Sequence, residues 1–140
     1  METGGTFYEV VDLGFGRCKF ALALPEGVDF YAGYHTRCIA SKYVNVTRNY
    51  FEKKNMDVDI VKIEGSVELA PILGLSDAIV DIVETGTTLK ENGLVVTEDV
   101  CQVSARLIVN IASMKLRKAE IEELIVKIER YVQEQEAQKI

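Results

Sequence analysis

The chain has 140 residues, long enough for a compact core, and its 48% apolar and 27% charged residues are ordinary for a soluble globular fold. A net charge of −6, with no cluster of five Lys or Arg, argues against nucleic-acid binding by counterion release. No apolar stretch reaches the roughly 18 residues of a membrane span, and one histidine with three scattered cysteines offers no zinc spacing.

In chain order, Gly4 and Gly5 predict a turn, and "FYEVVDL" a strand or crossover. "RCKFALAL" (Arg17–Leu24) reads as an apolar strand, "PEGVDFYAGYHT" (Pro25–Thr36) as a loop rich in turn residues and aromatics, and "RCIAS" as a second strand. Tyr43, Val46, Tyr50 and Phe51 recur near the helical period, which predicts a helix that Asn55 closes in a left-handed conformation. "DVDIVKI" follows as a strand. Ser66 is a candidate N-cap for a short helix that Pro71 limits and Gly74 ends. "AIVDIV" has the composition of a buried strand, "TGTTLKENG" starts a helical turn that Gly93 stops, and "LVVTEDVCQVSARLIVN" holds one or two further strands. The last segment is an amphipathic helix with Ile121, Leu124, Ile125, Ile128 and Tyr131 on its apolar stripe, and with i,i+4 pairs such as Glu123–Lys127 on its charged face. Alternating strands and helices predict an α/β fold, a mostly parallel sheet with helices on both faces. Cys18 and Cys101, within apolar strand-like runs, are expected to be buried thiols. The odd cysteine count with no leader-like segment points to a reducing, cytoplasmic setting.

The chemistry concentrates in "DIVETGTTLKENGL", Asp81–Leu94. Ligands of open parallel sheets bind beyond the carboxyl ends of strands, and the unpaired N–H groups that open a helix attract anions. Gly86 allows close backbone approach, and the hydroxyls of Thr85, Thr87 and Thr88 can add hydrogen bonds to a phosphate. Asp81 and Glu84 would repel a phosphate but suit the vicinal hydroxyls of a ribose. The same residues also read as an ordinary turn, with Thr85 capping a helix and the acids solvated. Spacing leaves both readings open.

A longer stretch, "GSVELAPILGLSDAIVDIVETGTTLKENGL" (Gly65–Leu94), resembles the ATP phosphoribosyltransferases that open histidine biosynthesis, with Glu68, Gly74, Ser76, Ile79, Asp81, Thr85, Gly86, Thr88 and Leu89 at the family's intervals. "YEVVDLGFGRCKFALA", "IASKYVNVTRNYFEKK" and "SARLIVNIASMKLR" resemble flanking family segments, so the likeness covers nearly the whole chain. The resemblance implies transfer of phosphoribosyl from phosphoribosyl pyrophosphate (PRPP) to N1 of ATP, releasing pyrophosphate with Mg2+ present. By position, Thr85, Gly86, Thr87 and Thr88 would bind the 5-phosphate, and Asp81 and Glu84 the ribose hydroxyls, with Glu68 and Lys42 near the same cleft. No residue is assigned as nucleophile, base or metal ligand; a dissociative displacement needs positioning and electrostatic stabilisation instead. The implied architecture is a type II periplasmic-binding-protein-like lobe. Residues 1–16 would form a crossover from a missing part of the first lobe, 17–104 the second lobe with the PRPP loop, and 105–140 the returning strand and last helix of the first lobe.

The likeness has departures. The family's opening half-lobe is not found, Val44 stands where Pro is usual, and no third, histidine-binding domain follows. The latter resembles the short form, which works with a histidyl-tRNA-synthetase-like regulatory subunit, and the apolar stripe of the last helix favours a homo-oligomer. A non-catalytic binding lobe or an inactive fragment is the alternative. His35 reads as a solvated histidine. Phe30, Tyr31 and Tyr34 read as loop-packing residues, the alternative being a cover for a nucleotide base.

Overall fold

The computed structural model describes residues 2–139. In chain order its elements are β1 (Phe7–Asp12), β2 (Cys18–Pro25), β3 (Arg37–Ser41), α1 (Val44–Lys53), β4 (Val58–Lys62), a 3-10 turn (Val67–Leu69), β5 (Ala78–Val83), α2 (Thr87–Glu91), β6 (Leu94–Val103), β7 (Arg106–Asn110), α3 (Ile111–Leu116) and α4 (Lys118–Gln138). They form two compact units. One comprises residues 2–3 and Cys18–Gln102, the other Gly4–Arg17 and residues 103–139.

The first unit is built on a five-stranded sheet in the order β4-β3-β5-β2-β6. Strand β3 pairs in parallel with both β4 and β5, while β2 runs antiparallel to β5, so the α/β fold has a mixed sheet. The cause is the loop after β2. A connection without a long helix cannot return the chain to the same end of the sheet, so β3 starts where β2 finished and runs the other way. Successive side chains then point to opposite faces. Ala21, Ala23, Ala40, Ile79 and Val83 pack against Val67 and Ala70 of the 3-10 segment and Leu89 of α2. Leu22, Leu24, Ile39, Ala78 and Val80 pack against Phe51 of α1 and Phe30. Both faces are therefore covered, and every one of these residues is buried.

Helix α1 has no side-chain cap of its own; Glu2 instead accepts hydrogen bonds from the Asn45 and Val46 N–H groups at 3.2 and 2.9 Å. It ends as expected at Asn55, whose φ of 53° lets Met56 N–H return to the Phe51 carbonyl at 3.0 Å. Ser66 does not act as the expected side-chain cap. Its carbonyl, not its hydroxyl, takes the Leu69 N–H at 3.2 Å, and only a single 3-10 turn forms before Pro71, which has no N–H to extend it. Cys18 and Cys101 are half-buried, not buried, because both lie on strands where cover by neighbouring elements is partial.

In the second unit β1 and β7 pair antiparallel, from Phe7 opposite Asn110 to Asp12 opposite Arg106. Arg106 bridges Glu9 at 2.9 Å and Asp12 at 3.3 Å. The single expected helix is two. Asn110 caps α3 by accepting from the Ala112 and Ser113 N–H groups, and Arg117, at φ −129°, breaks the helix before α4. On α4, Ile121, Ile125 and Ile128 are half-buried while Leu124 and Tyr131 are exposed, and the Glu123–Lys127 pair closes at 3.1 Å. No helix among the described residues is long and apolar enough to cross a membrane.

Candidate functional site

The order β4-β3-β5 contains a reversal. From β3 the chain passes through α1 on one face to β4 at the edge, then returns through the 3-10 turn on the other face to lay β5 on the far side of β3. The adjacent carboxyl ends of β3 and β5 are thus the point where the winding changes direction, which is where open α/β sheets bind their ligands. Lys42 follows β3, and Glu84–Thr88 follow β5.

A buried hydroxyl fixes this junction. Ser41, fully buried at the end of β3, donates to the Val80 carbonyl of β5 at 2.6 Å and accepts from the Tyr43 N–H at 2.9 Å. It ties the two strand ends together and aims the chain into α1, where Thr47, also fully buried, donates to the Tyr43 carbonyl at 2.8 Å. The sequence reading missed Ser41. The available signal was a small hydroxyl residue closing an apolar strand just before a helix.

The turn after β5 is where the sequence places the candidate anion site. Gly86 adopts φ 79°, ψ 4°, a left-handed conformation that reverses the chain into α2. A Cβ at Gly86 would meet Val83 at an ordinary 3.8 Å, so the glycine is demanded by its backbone angle and not by space. Lys90 is the first residue to return its N–H to the turn, donating to the Gly86 carbonyl at 3.0 Å. The N–H groups ahead of it have no helical partner. Thr85 Oγ1 accepts from the Thr87 N–H at a long 3.4 Å and lies 3.0 Å from Thr87 Oγ1, while Thr85, Thr87 and Thr88 are all exposed. Thr85 therefore caps the turn weakly, and the hydroxyls remain available to solvent or a ligand.

Of the two acids, Asp81 is half-buried and Glu84 exposed. Asp81 lies opposite Ala21, on the sheet face of Ile79 and Val83 that the 3-10 turn and α2 cover. Its Oδ1 accepts the Ile82 N–H at 2.8 Å. Burial pushes its carboxyl above the usual range, the Ile82 N–H opposes this, and among nearby charges Glu68 raises it further while Lys42 lowers it. Glu68 and Lys42 are thus each close enough to act on Asp81, although both are 13 or more residues from it in sequence. The structure brings Lys42 and Glu68 within reach of Asp81, and the Glu84–Thr88 turn follows the same strand, β5. His35 lies elsewhere and is exposed, as expected of a solvated histidine, with Nε2 2.5 Å from Arg37 Nη1. Phe30 packs in the core, whereas Tyr34 is fully exposed.

The family model described as "HisG: ATP phosphoribosyltransferase" matches residues 1–130. An ATP phosphoribosyltransferase of Clostridium kluyveri is 61% identical over 134 residues, covering 96% of this chain and 61% of that protein. One from Clostridium botulinum is 58% identical, covering 96% and 63%. The chain thus spans about three fifths of the length of these curated relatives. Among solved structures, the ATP phosphoribosyl transferase (HisG:HisZ) complex from Thermotoga maritima superposes with a TM-score of 0.83 at 33% identity, covering 95% of this chain and 65% of that one. The arginine-binding protein ArgBP from Thermotoga maritima, at 14% identity and a TM-score of 0.62, covering 92% of this chain and 57% of that one, shares the fold alone.

Proposed function

The chain belongs to the ATP phosphoribosyltransferase family, and from that membership we propose that it serves the transfer of phosphoribosyl from PRPP to N1 of ATP, with release of pyrophosphate, the entry step of histidine biosynthesis. The share of that reaction assigned to these residues is the holding of the ribose 5-phosphate. One observation carries the reading: a left-handed glycine turn that opens a helix and bears three exposed hydroxyls sits beside carboxylates at the winding reversal of the sheet. A receptor for a simple anion would gain nothing from those acids.

In this reading Thr85, Gly86, Thr87 and Thr88 hold the 5-phosphate through backbone N–H groups and hydroxyls. Asp81 and Glu84 accept hydrogen bonds from the vicinal ribose hydroxyls. The bond from C1 to the pyrophosphate oxygen breaks as the bond from N1 of adenine to C1 forms, and positive charge develops on the ribose in between. Carboxylates fixed beside the ring stabilise that charge without having to reorganise, so no protein nucleophile is needed. Glu68 and Lys42 set the field around Asp81. Mg2+ would arrive with PRPP and neutralise the leaving pyrophosphate. Such an ion keeps several waters and is carried by the substrate's phosphates, and no residue of this chain is assigned as its ligand.

Residues 17–104 are assigned to the second lobe of the family's architecture, 1–16 to a crossover, and 105–140 to the returning strand and last helix of the first lobe. ATP, a second copy of the chain and a histidyl-tRNA-synthetase-like regulatory subunit are the assigned partners, and the cytoplasm the assigned compartment. The HisG:HisZ composition of the Thermotoga maritima complex supports the regulatory partner.

Calorimetric titration with PRPP and Mg2+ tests the reading. The wild-type chain should bind with one site, the Asp81→Ala/Glu84→Ala variant should lose PRPP, and its affinity for inorganic phosphate should persist. Unchanged PRPP affinity in that variant would remove the ribose assignment. Loss of PRPP together with phosphate would instead point to a disrupted turn.

A further inference from the structure

On the sheet face opposite Asp81, between α1 and β6, lies a cavity of about 470 Å³ whose walls are Val46, Tyr50, Val100 and Cys101, with Asn49, Lys53 and Lys54 at its margin. That volume falls within the roughly 300–1,000 Å³ of small-molecule sites. Its lining is mostly apolar, and the reaction proposed above makes no use of it.

The electrostatics of the cavity are uneven. Lys54 is already compensated: its ammonium lies 2.5 Å from Glu98 Oε2 and 2.7 Å from the Tyr31 hydroxyl, and 5.0 Å from the Tyr50 ring centre. The Tyr31 and Tyr50 hydroxyls both donate to Glu98. Burial alone would raise the Glu98 carboxyl, but the hydrogen bonds from Lys54, Tyr31 and Tyr50 outweigh it and hold it below the usual range. The network consumes Glu98 and locks Tyr50 as a rigid wall. Lys53 is different. It forms no ion pair among the described residues, yet its charge acts on Cys101 across the cavity. Glu2 is taken up by the amino end of α1, and Asp99 by Lys19 at 2.7 Å. Among the described residues, Lys53 is thus an ammonium without an ion pair on the rim of an apolar cavity.

We propose that this cavity is a second binding site, which takes an amphipathic organic anion: a carboxylate or sulfonate on an aromatic or short aliphatic body. The body displaces water from Val46, Val100 and Tyr50, and Lys53 pairs with the anionic head.

The test uses 8-anilinonaphthalene-1-sulfonate as probe and the chain as it stands, well below its melting temperature. Binding should saturate at one site. Lys53→Glu, an exposed change in the last turn of α1 whose melt should fall by no more than about 5 °C, should weaken it by about tenfold or more, and Val100→Trp, which fills the cavity, should abolish it. Saturating probe should slow iodoacetamide alkylation of Cys101, followed by peptide mass, without slowing that of Cys18 or Cys38. Wild-type affinity in Lys53→Glu, equal protection of all three cysteines, or equal protection of Cys101 by octylammonium would each overturn the proposal.

Discussion

Ser41→Ala is the sharpest perturbation of the strand-end junction. Ser41 is fully buried, and alanine removes one bond to the Val80 carbonyl at 2.6 Å and another from the Tyr43 N–H at 2.9 Å. Each such bond is worth about 1 kcal/mol net, and a buried donor left without an acceptor costs ~1–3 kcal/mol. The Val80 carbonyl loses less than Tyr43, since a carbonyl has a second lone pair and Val80 also sits in the ladder opposite Leu22. The expected loss is therefore about 2–3 kcal/mol, which in a chain of this size lowers the melting temperature by about 6–15 °C. Calorimetric and urea unfolding would measure it, with the urea slope unchanged. PRPP affinity should fall with it, because Lys42 and Asp81 leave the two strand ends that Ser41 joins. A drop under about 2 °C would refute the energetic argument. A normal drop with unaltered PRPP affinity would refute the claim that this hydroxyl aligns the two strand ends.

Three further substitutions probe separate links. Because burial raises the Asp81 carboxyl, the folded chain holds that proton more tightly than the unfolded one. Its ionisation thus costs stability at all pH above the raised value, and the cost vanishes as pH falls below the unfolded value of about 3.9. Asp81→Asn should accordingly melt higher than wild type at pH 7, converge with it in acid, and bind PRPP more weakly; a lower melting temperature at pH 7 would contradict the burial argument. Gly86→Ala places a side chain at φ 79° and should cost about 1–2 kcal/mol by urea unfolding, and a neutral result would mean that the turn relaxes without strain. Phe51→Ala empties a site that is 1% exposed and packed against Phe30 and Tyr50, and should cost about 3–5 kcal/mol by the same measurement, whereas a loss under ~1 kcal/mol would mean that the face collapses to fill the hole.

Local chemistry along the chain is enough to place β2, β3, α1, β4, β5 and α2, because apolar period, turn residues and the left-handed Asn55 and Gly86 are properties of neighbouring residues. The turn proposed to hold phosphate and the acids proposed for the ribose are visible as a candidate for the same reason: they form one contiguous string. Other features depend on contacts between distant segments. Nothing near Ser41 announces that its hydroxyl meets Val80, 39 residues on. The mixed direction of the sheet depends on which end of it a loop leaves. The break at Arg117 falls within an unbroken helical pattern, and the half-exposure of Cys18 and Cys101 depends on what covers each strand. The field at Asp81 is the clearest case. Lys42, Glu68 and Asp81 belong to three separate segments, and only the reversal of winding between β3 and β5 brings the first two within electrostatic reach of Asp81.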